Sequence, residues 1–142
     1  MAGIADRHDE DASSRYRRSV TYTAERLAER GIDLLLEPIN GRNMPGYFLN
    51  DFGAAERLIA ECGLPNLKLQ FDIYHRQIIH GDVVMALRRL LPITGHIQIA
   101  SVPSRNEPGL GWFNLLRGAR RWLFHSDQSL TTIRARPTSP TR

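Results

Sequence analysis

An apolar run that ends abruptly in a carboxylate limits what this chain can fold into. Leu34, Leu35 and Leu36 are followed directly by Glu37 and Pro38. Three leucines suit a buried strand, and Pro38 indicates that the strand ends at Glu37 because proline cannot donate to a sheet ladder. An ionised carboxylate at the tip of a buried strand is unfavourable unless it is paired or bound to a metal. Glu37 therefore needs a partner.

Two further apolar runs carry ligand-capable side chains, Asp72 at the end of one and Gln98 within the other. Helical and strand-like patterns alternate and predict elements over residues 13–30, 32–37, 51–62, 67–72, 82–91 and 96–100, beginning with a helix. This alternation predicts a parallel sheet covered by helices, either doubly wound or part of a (β/α)8 barrel. In both folds, ligands bind at the C-terminal ends of the strands.

Capping and stop residues set the predicted helix boundaries. Ser13 or Ser14 is expected to cap the first helix, and Asp82 the third. Pro92 and Gly95 are expected to end the third helix. No glycine-rich phosphate loop follows a predicted strand, which disfavours a nucleotide-binding version of the fold.

The three strand-end residues form an all-oxygen set. Carboxylates from Glu37 and Asp72, with the amide oxygen of Gln98, suit a hard divalent ion such as Mg²⁺, Mn²⁺ or Ca²⁺. His75 is either a softer ligand or a contact to substrate. Two structural alternatives stay open: Asp72 caps the following loop, and Gln98 is a buried amide that needs a hydrogen bond.

The distribution of charge along the chain argues against one class of binding partner, nucleic acids. The net charge is +4, but residues 105–142 contain seven arginines and two acids, so the rest of the chain is slightly acidic. A basic tail without a basic folded face argues against nucleic-acid binding.

No apolar run is long enough to span a membrane. A single cysteine, Cys62, excludes an intramolecular disulfide and fits a reducing, cytoplasmic location.

Four segments together resemble one enzyme family. Residues 34–40, 71–77, 95–100 and 103–108 are similar to hydroxypyruvate isomerases, which belong to the xylose isomerase-like TIM barrels. The opening residues 1–5 resemble the end of the fourth strand of that family. The resemblance implies an α/β fold that is a partial (β/α)8 TIM barrel of three to four β/α units.

The resemblance also implies an activity, the isomerisation of hydroxypyruvate to 2-hydroxy-3-oxopropanoate. It implies that Glu37, Asp72 and Gln98 hold a divalent metal, with Mg²⁺ or Mn²⁺ favoured, and that Glu37 is also one of two carboxylates that move the proton between adjacent carbons. His75, Arg105 and Glu107 would bind the small hydroxy-oxo acid. Two alternatives remain: an isomerase or epimerase of a related sugar or oxo-tetronate, and a non-catalytic barrel fragment that assembles with a partner.

The resemblance covers residues 1–108, which we expect to be the C-terminal half of a barrel. Residues 109–142 are expected to be an off-pattern tail, with a short helix at 112–124 and disorder over 131–142. A full barrel needs roughly 250 residues, and the second catalytic glutamate of the family has no counterpart here. We therefore expect a truncated isomerase that is weakly active or inactive and self-associates through open sheet edges.

Overall fold

The computed structural model of the chain describes residues 2–6 and 8–106. Glu107 and the predicted elements at 112–124 and 131–142 lie outside these residues. The elements in chain order are α1 (Glu10–Ala28), β1 (Leu34–Leu36), α2 (Phe52–Cys62), β2 (Leu67–Asp72), α3 (Ile73–Ile79), α4 (Val83–Leu90), a 3-10 helix (Leu91–Ile93) and β3 (Thr94–Gln98).

The three strands form one parallel sheet in the order β1-β2-β3. This arrangement confirms the predicted α/β class, because parallel neighbours are joined by helical crossovers. Residues 2–6 do not contribute a strand to this sheet, and Ile4 instead forms an isolated antiparallel bridge with Tyr47. None of the helices in residues 2–6 and 8–106 is long and apolar enough to cross a membrane.

Alternation along the strands gives the sheet two different faces. The helix-side face consists of Leu36, Leu67, Leu69, Phe71 and Ile97, all buried in the hydrophobic core. The site-side face consists of the alternate residues, which are Leu35, Glu37, Lys68, Gln70, Asp72, His96 and Gln98. The apolar face fixes the sheet against the helices and leaves the polar face for chemistry.

Two helices begin differently from the sequence prediction. The prediction of Ser13 or Ser14 as the cap of α1 is wrong, because Asp9 accepts from the amides of Asp11 and Ala12. For α4, Asp82 occupies the cap position but makes no side-chain cap bond there. Helix α2 begins after Asp51, whose carboxylate accepts from the Ala54 amide.

The strand and helix limits also differ. Strand β1 is shorter than the predicted 32–37, and α1 ends at Ala28. Strand β3 begins two residues before the predicted start at His96, so Gly95 is a strand residue and not a helix stop. A Cβ on Gly95 would lie 2.8 Å from the Lys68 Cβ and 2.9 Å from a Leu35 methyl. Glycine is therefore required there by the close approach of neighbouring strands.

The sequence prediction missed α3 altogether. This seven-residue helix begins directly after β2, with Asp72 as its cap. Isolated helices of this length are unstable in water, so the capping bonds and tertiary packing decide whether one forms. The helix matters for the site because it carries His75 back toward the strand ends.

Candidate metal and substrate site

Asp72 connects the fold to the site. It is the last residue of β2 and is fully buried. Its Oδ1 accepts from the amides of Tyr74, at 2.8 Å, and His75, at 3.2 Å. Its Oδ2 faces the other way, 3.3 Å from Arg105 Nη2 and 3.7 Å from His75 Nε2. Asp72 therefore caps α3 with one oxygen and presents the second to the site.

Glu37 follows β1 directly and points toward the same place. Its Oε1 lies 4.0 Å from His75 Nε2, and its side chain is 27% exposed. Burial and the neighbouring Asp72 raise the pKa of Glu37, while Arg105 and a hydrogen bond from Gln70 oppose that rise. An open cleft of ≈ 630 Å³ reaches Glu37 from the side of α1. The Glu37 side chain is therefore accessible from this cleft.

His75 is buried beneath the two carboxylates. Its side chain is 2% exposed, and its Nε2 faces Glu37 and Asp72. Its Nδ1 faces Asn40, whose backbone N lies at 3.1 Å and whose Nδ2 lies at 2.7 Å. Burial lowers the pKa of the His75 imidazole, Asp72 opposes this, and Arg105 lowers the pKa further. The ring is therefore held in its neutral form over a wider pH range than a free histidine.

Gln98 lies at the end of β3, opposite Asp72 in the strand register. Its Oε1 accepts from Gln70 Nε2 at 2.9 Å, so the hydrogen-bond partner that a partly buried amide needs is Gln70. Gln70 also lowers the pKa of Glu37, so its side chain influences two of the three predicted metal ligands.

Arg105 lies over the site from the loop after β3. The Arg105 amide donates to the Ser101 carbonyl, and the Ser101 amide donates to the Asn106 carbonyl, both at 2.9 Å. This turn brings the guanidinium to Asp72 and to within 5.0 Å of the Tyr74 ring centre. The structure thus brings together Glu37, Asp72, His75 and Arg105.

The donor set fits a divalent cation. One ligand atom each from Glu37, Asp72 and His75 lie within 4.8 Å of one another. Two of these are hard carboxylate oxygens, and Gln98 adds an amide oxygen to the same edge of the sheet. Buried carboxylates side by side repel each other unless a cation separates them. The described residues therefore include a pair of carboxylates, beside a histidine, that could hold a metal.

Sequence reasoning overlooked two residues that support this cluster. Gln70 lies two residues before Asp72 and therefore faces the site, a signal that strand periodicity contains. Asn40 lies three residues after Glu37 in the loop that follows β1, and is fully buried. No local pattern marks Asn40, because its contact with His75 joins residues 35 positions apart.

Comparison with known protein families identifies the fold. Residues 1–126 match the model of the xylose isomerase-like TIM barrel family. The chain belongs to the xylose isomerase-like TIM barrel family. This membership confirms the resemblance drawn from the four segments and the partial-barrel fold class. The division of the chain at residue 108 stays a prediction.

Named relatives in this family are isomerases. The chain is 46% identical over 116 residues to a 2-oxo-tetronate isomerase from Cupriavidus necator, covering 80% of this chain and 45% of that protein. It is 41% identical over 96 residues to hydroxypyruvate isomerase from Escherichia coli K12, covering 68% of this chain and 37% of that protein. The chain thus spans less than half the length of these relatives.

A solved structure shows the same architecture. The crystal structure described as an AP endonuclease of family 2 from Brucella melitensis superposes with a TM-score of 0.78 at 38% identity. The match covers 83% of this chain and 46% of that one. The sheet and helices described above are therefore part of a xylose isomerase-like barrel.

Proposed function

We propose that the protein is a metal-assisted aldose–ketose isomerase of small hydroxy-oxo acids, with hydroxypyruvate as the leading substrate and with weak or no turnover by this chain alone. The observation that carries this proposal is the convergence of Glu37 and Asp72 beside a neutral His75 and the guanidinium of Arg105. Both named relatives quoted above are isomerases, which supports the reaction class. The higher identity to the 2-oxo-tetronate isomerase makes a four-carbon oxo acid the second candidate substrate.

Each side chain has a part in the proposed reaction. Glu37 takes a proton from C3 of hydroxypyruvate, and the electron pair of that C–H bond forms the C2–C3 double bond of an enediolate. The charge that develops on the C2 oxygen is stabilised by donors from His75 and Arg105. A proton then passes from the C3 oxygen to the C2 oxygen, and the protonated Glu37 returns its proton to C2 to give 2-hydroxy-3-oxopropanoate. A divalent ion held by Glu37, Asp72 and Gln98, with Mg²⁺ or Mn²⁺ favoured, supplies carbonyl polarisation when bound.

The open sheet edges support a further proposal about partners. Within residues 2–6 and 8–106, β1 and β3 each pair with one neighbour only. Edge strands offer unpaired amides and carbonyls to another strand. We propose self-association through these edges, which light scattering on the purified chain tests by its mass in solution.

The decisive experiment titrates Mn²⁺ into the wild-type chain and into Glu37→Gln and measures the binding affinity by calorimetry. Removing a charged ligand is expected to weaken Mn²⁺ binding by more than about 100-fold, since loss of an outer-shell partner alone reduces affinity 10–100-fold. Glu25→Gln, an exposed glutamate on α1, is the matched control and should bind like the wild type. Equal affinity in all three proteins would refute the metal site.

Turnover is measured separately with hydroxypyruvate and with 2-oxo-tetronate in the presence of Mn²⁺. Product formation that Glu37→Gln abolishes, and that Glu25→Gln leaves intact, supports the proposed reaction. The ratio of kcat/KM for the two acids decides between the two candidate substrates. Product formation that persists in Glu37→Gln would show that the reaction does not use this carboxylate.

A further inference from the structure

The buried side chain of Asn40 contacts His75 from the side away from the carboxylates. Asn40 is fully buried, and both its backbone N and its Nδ2 approach His75 Nδ1. We propose that Asn40 is a positioning residue that fixes the tautomer of His75, with the ring proton on Nε2 and directed at Glu37 and Asp72. The ring then presents a hydrogen-bond donor to the site.

The orientation of the Asn40 amide follows from its other contact. The backbone amide of Asn43 donates to Asn40 Oδ1 at 2.9 Å. A backbone N–H can only donate, so the oxygen end of the Asn40 amide must face Asn43. The NH₂ end therefore faces His75, and Asn40 Nδ2 is a donor to Nδ1.

Both groups that approach Nδ1 are donors. The Asn40 backbone N–H, at 3.1 Å, is part of the main chain and cannot turn away, and Nδ2 lies closer, at 2.7 Å. A proton on Nδ1 would point at both donors and leave them without an acceptor in a buried environment. A neutral imidazole carries one proton, which is therefore on Nε2. The nearest carboxylate oxygens, Asp72 Oδ2 at 3.7 Å and Glu37 Oε1 at 4.0 Å, are acceptors facing that proton.

Arg105 favours the other tautomer of His75, which has the ring proton on Nδ1. Its Nη2 lies 3.4 Å from His75 Nε2 and is also a donor, which favours an unprotonated Nε2. However, the Arg105 side chain is 40% exposed, and the same Nη2 has Asp72 Oδ2 as an acceptor at 3.3 Å. Two shorter bonds from a buried residue outweigh one longer contact from a half-exposed side chain that has another acceptor. Asn40 therefore decides where the proton lies.

The tautomer determines what His75 can bind. A protonated Nε2 donates to a substrate oxygen, and it has no lone pair for a metal. The ion is then left to the oxygens of Glu37, Asp72 and Gln98. This consequence for metal and substrate rests on the proposed function, whereas the position of the proton does not.

The test is long-range proton–nitrogen NMR on the nitrogen-15-labelled full chain without metal or substrate. The His75 signals are identified by their loss in His75→Gln. We expect Nδ1 to have the chemical shift of a pyridine-like nitrogen and Nε2 that of a pyrrole-like nitrogen. The reverse assignment would overturn the proposal. Because no turnover is needed, a failed isomerase assay and a failed tautomer assignment are separate results.

Two variants test whether the Asn40 side chain, and not a charge placed nearby, sets the tautomer of His75. Asn40→Asp directs a carboxylate oxygen at Nδ1, so Nδ1 should become protonated and pyrrole-like. Asn43→Asp adds the same charge at an exposed position three residues away and should leave the His75 pattern unchanged. An unchanged pattern in Asn40→Asp would refute the role of Asn40.

Arg105→Met removes the competing donor. We expect the His75 pattern to stay as in the wild type, and a proton that moves between the nitrogens would show that Arg105 sets the tautomer. If circular dichroism shows that Asn40→Asp does not fold, the wild-type and Arg105→Met spectra decide the question.

Discussion

The two faces of the sheet are held in different ways. On the helix-side face, Leu69 and Phe71 are fully buried, and the Phe71 ring packs against the ring of Phe52. On the site-side face, Gln70 is half-buried and is held by a hydrogen bond to Gln98. Apolar packing is non-directional and roughly proportional to buried area. Hydrogen bonds are directional, so the polar face can place individual atoms where chemistry needs them.

This difference predicts that adjacent residues of β2 have different roles. Phe71→Ala should lower the free energy of unfolding by about 3–5 kcal/mol, because it removes a large buried side chain and leaves a cavity. Gln70→Ala should lower it by about 0.5–1.5 kcal/mol, the net value of a typical hydrogen bond. Urea unfolding followed by circular dichroism measures both. Equal losses would contradict the distinction between the faces.

An effect between those of Phe71→Ala and Gln70→Ala is expected from Gly95, where a neighbouring strand approaches closely. Gly95→Ala places a methyl group within 2.9 Å of two side-chain atoms, one of them the rigid Cβ of Lys68. Overpacking of this kind should lower the free energy of unfolding by about 1–3 kcal/mol. Gly41→Ala is the matched control because no atom lies within 4 Å of its added Cβ. A loss of the same size in both variants would show that crowding at β3 is not the cause.

The smallest effect concerns the charge of Glu37 and depends on pH. The pKa of Glu37 is raised in the folded state, mainly by burial and then by Asp72. A group whose folded pKa is raised stabilises the protein below the unfolded value, near 4.3 for glutamate, and this stabilisation is lost as pH rises through the folded pKa. In EDTA at neutral pH, Glu37→Gln should therefore be more stable than the wild type.

Thermal unfolding of Glu37→Gln and of the wild type from pH 4 to 8 measures the difference in stability between the two proteins. The stability difference should grow with pH and then level off above the folded pKa of Glu37. Mn²⁺ should reverse the order, because it stabilises only a folded state that binds it. A variant less stable than the wild type in EDTA would mean that Glu37 makes net favourable contacts as an anion.

Much of the fold could be predicted from local sequence. The limits of β2, Leu67 to Asp72, were predicted correctly, and its side chains alternate between buried and less buried up to Phe71. The stop at Pro38 and the polar residues at the strand ends placed Glu37, Asp72 and Gln98 at one edge of the sheet. These features depend on the period of the strand and on the chemistry of single residues, both of which are visible in the sequence.

Contacts between distant residues could not be predicted in this way. Gly95 has the sequence signature of a breaker, but its neighbours in space are Lys68 and Leu35. Helix α3 is too short to have a clear period, and it forms because Asp72 caps it and Tyr74 and His75 are buried. Turn and helix signals are local, whereas close packing between strands depends on the register of residues far apart in the chain.

The sequence by itself determined the parallel α/β architecture, the polar strand ends and the family, because strand period and motif order are properties of neighbouring residues. Only the tertiary structure decided which atoms meet: Gln70 with Gln98, Arg105 with Asp72, and Asn40 with His75. These pairs are 28 to 35 residues apart. Their hydrogen-bond directions, which set the proton on His75 and the orientation of Gln98, arise only when the strands and loops have packed together.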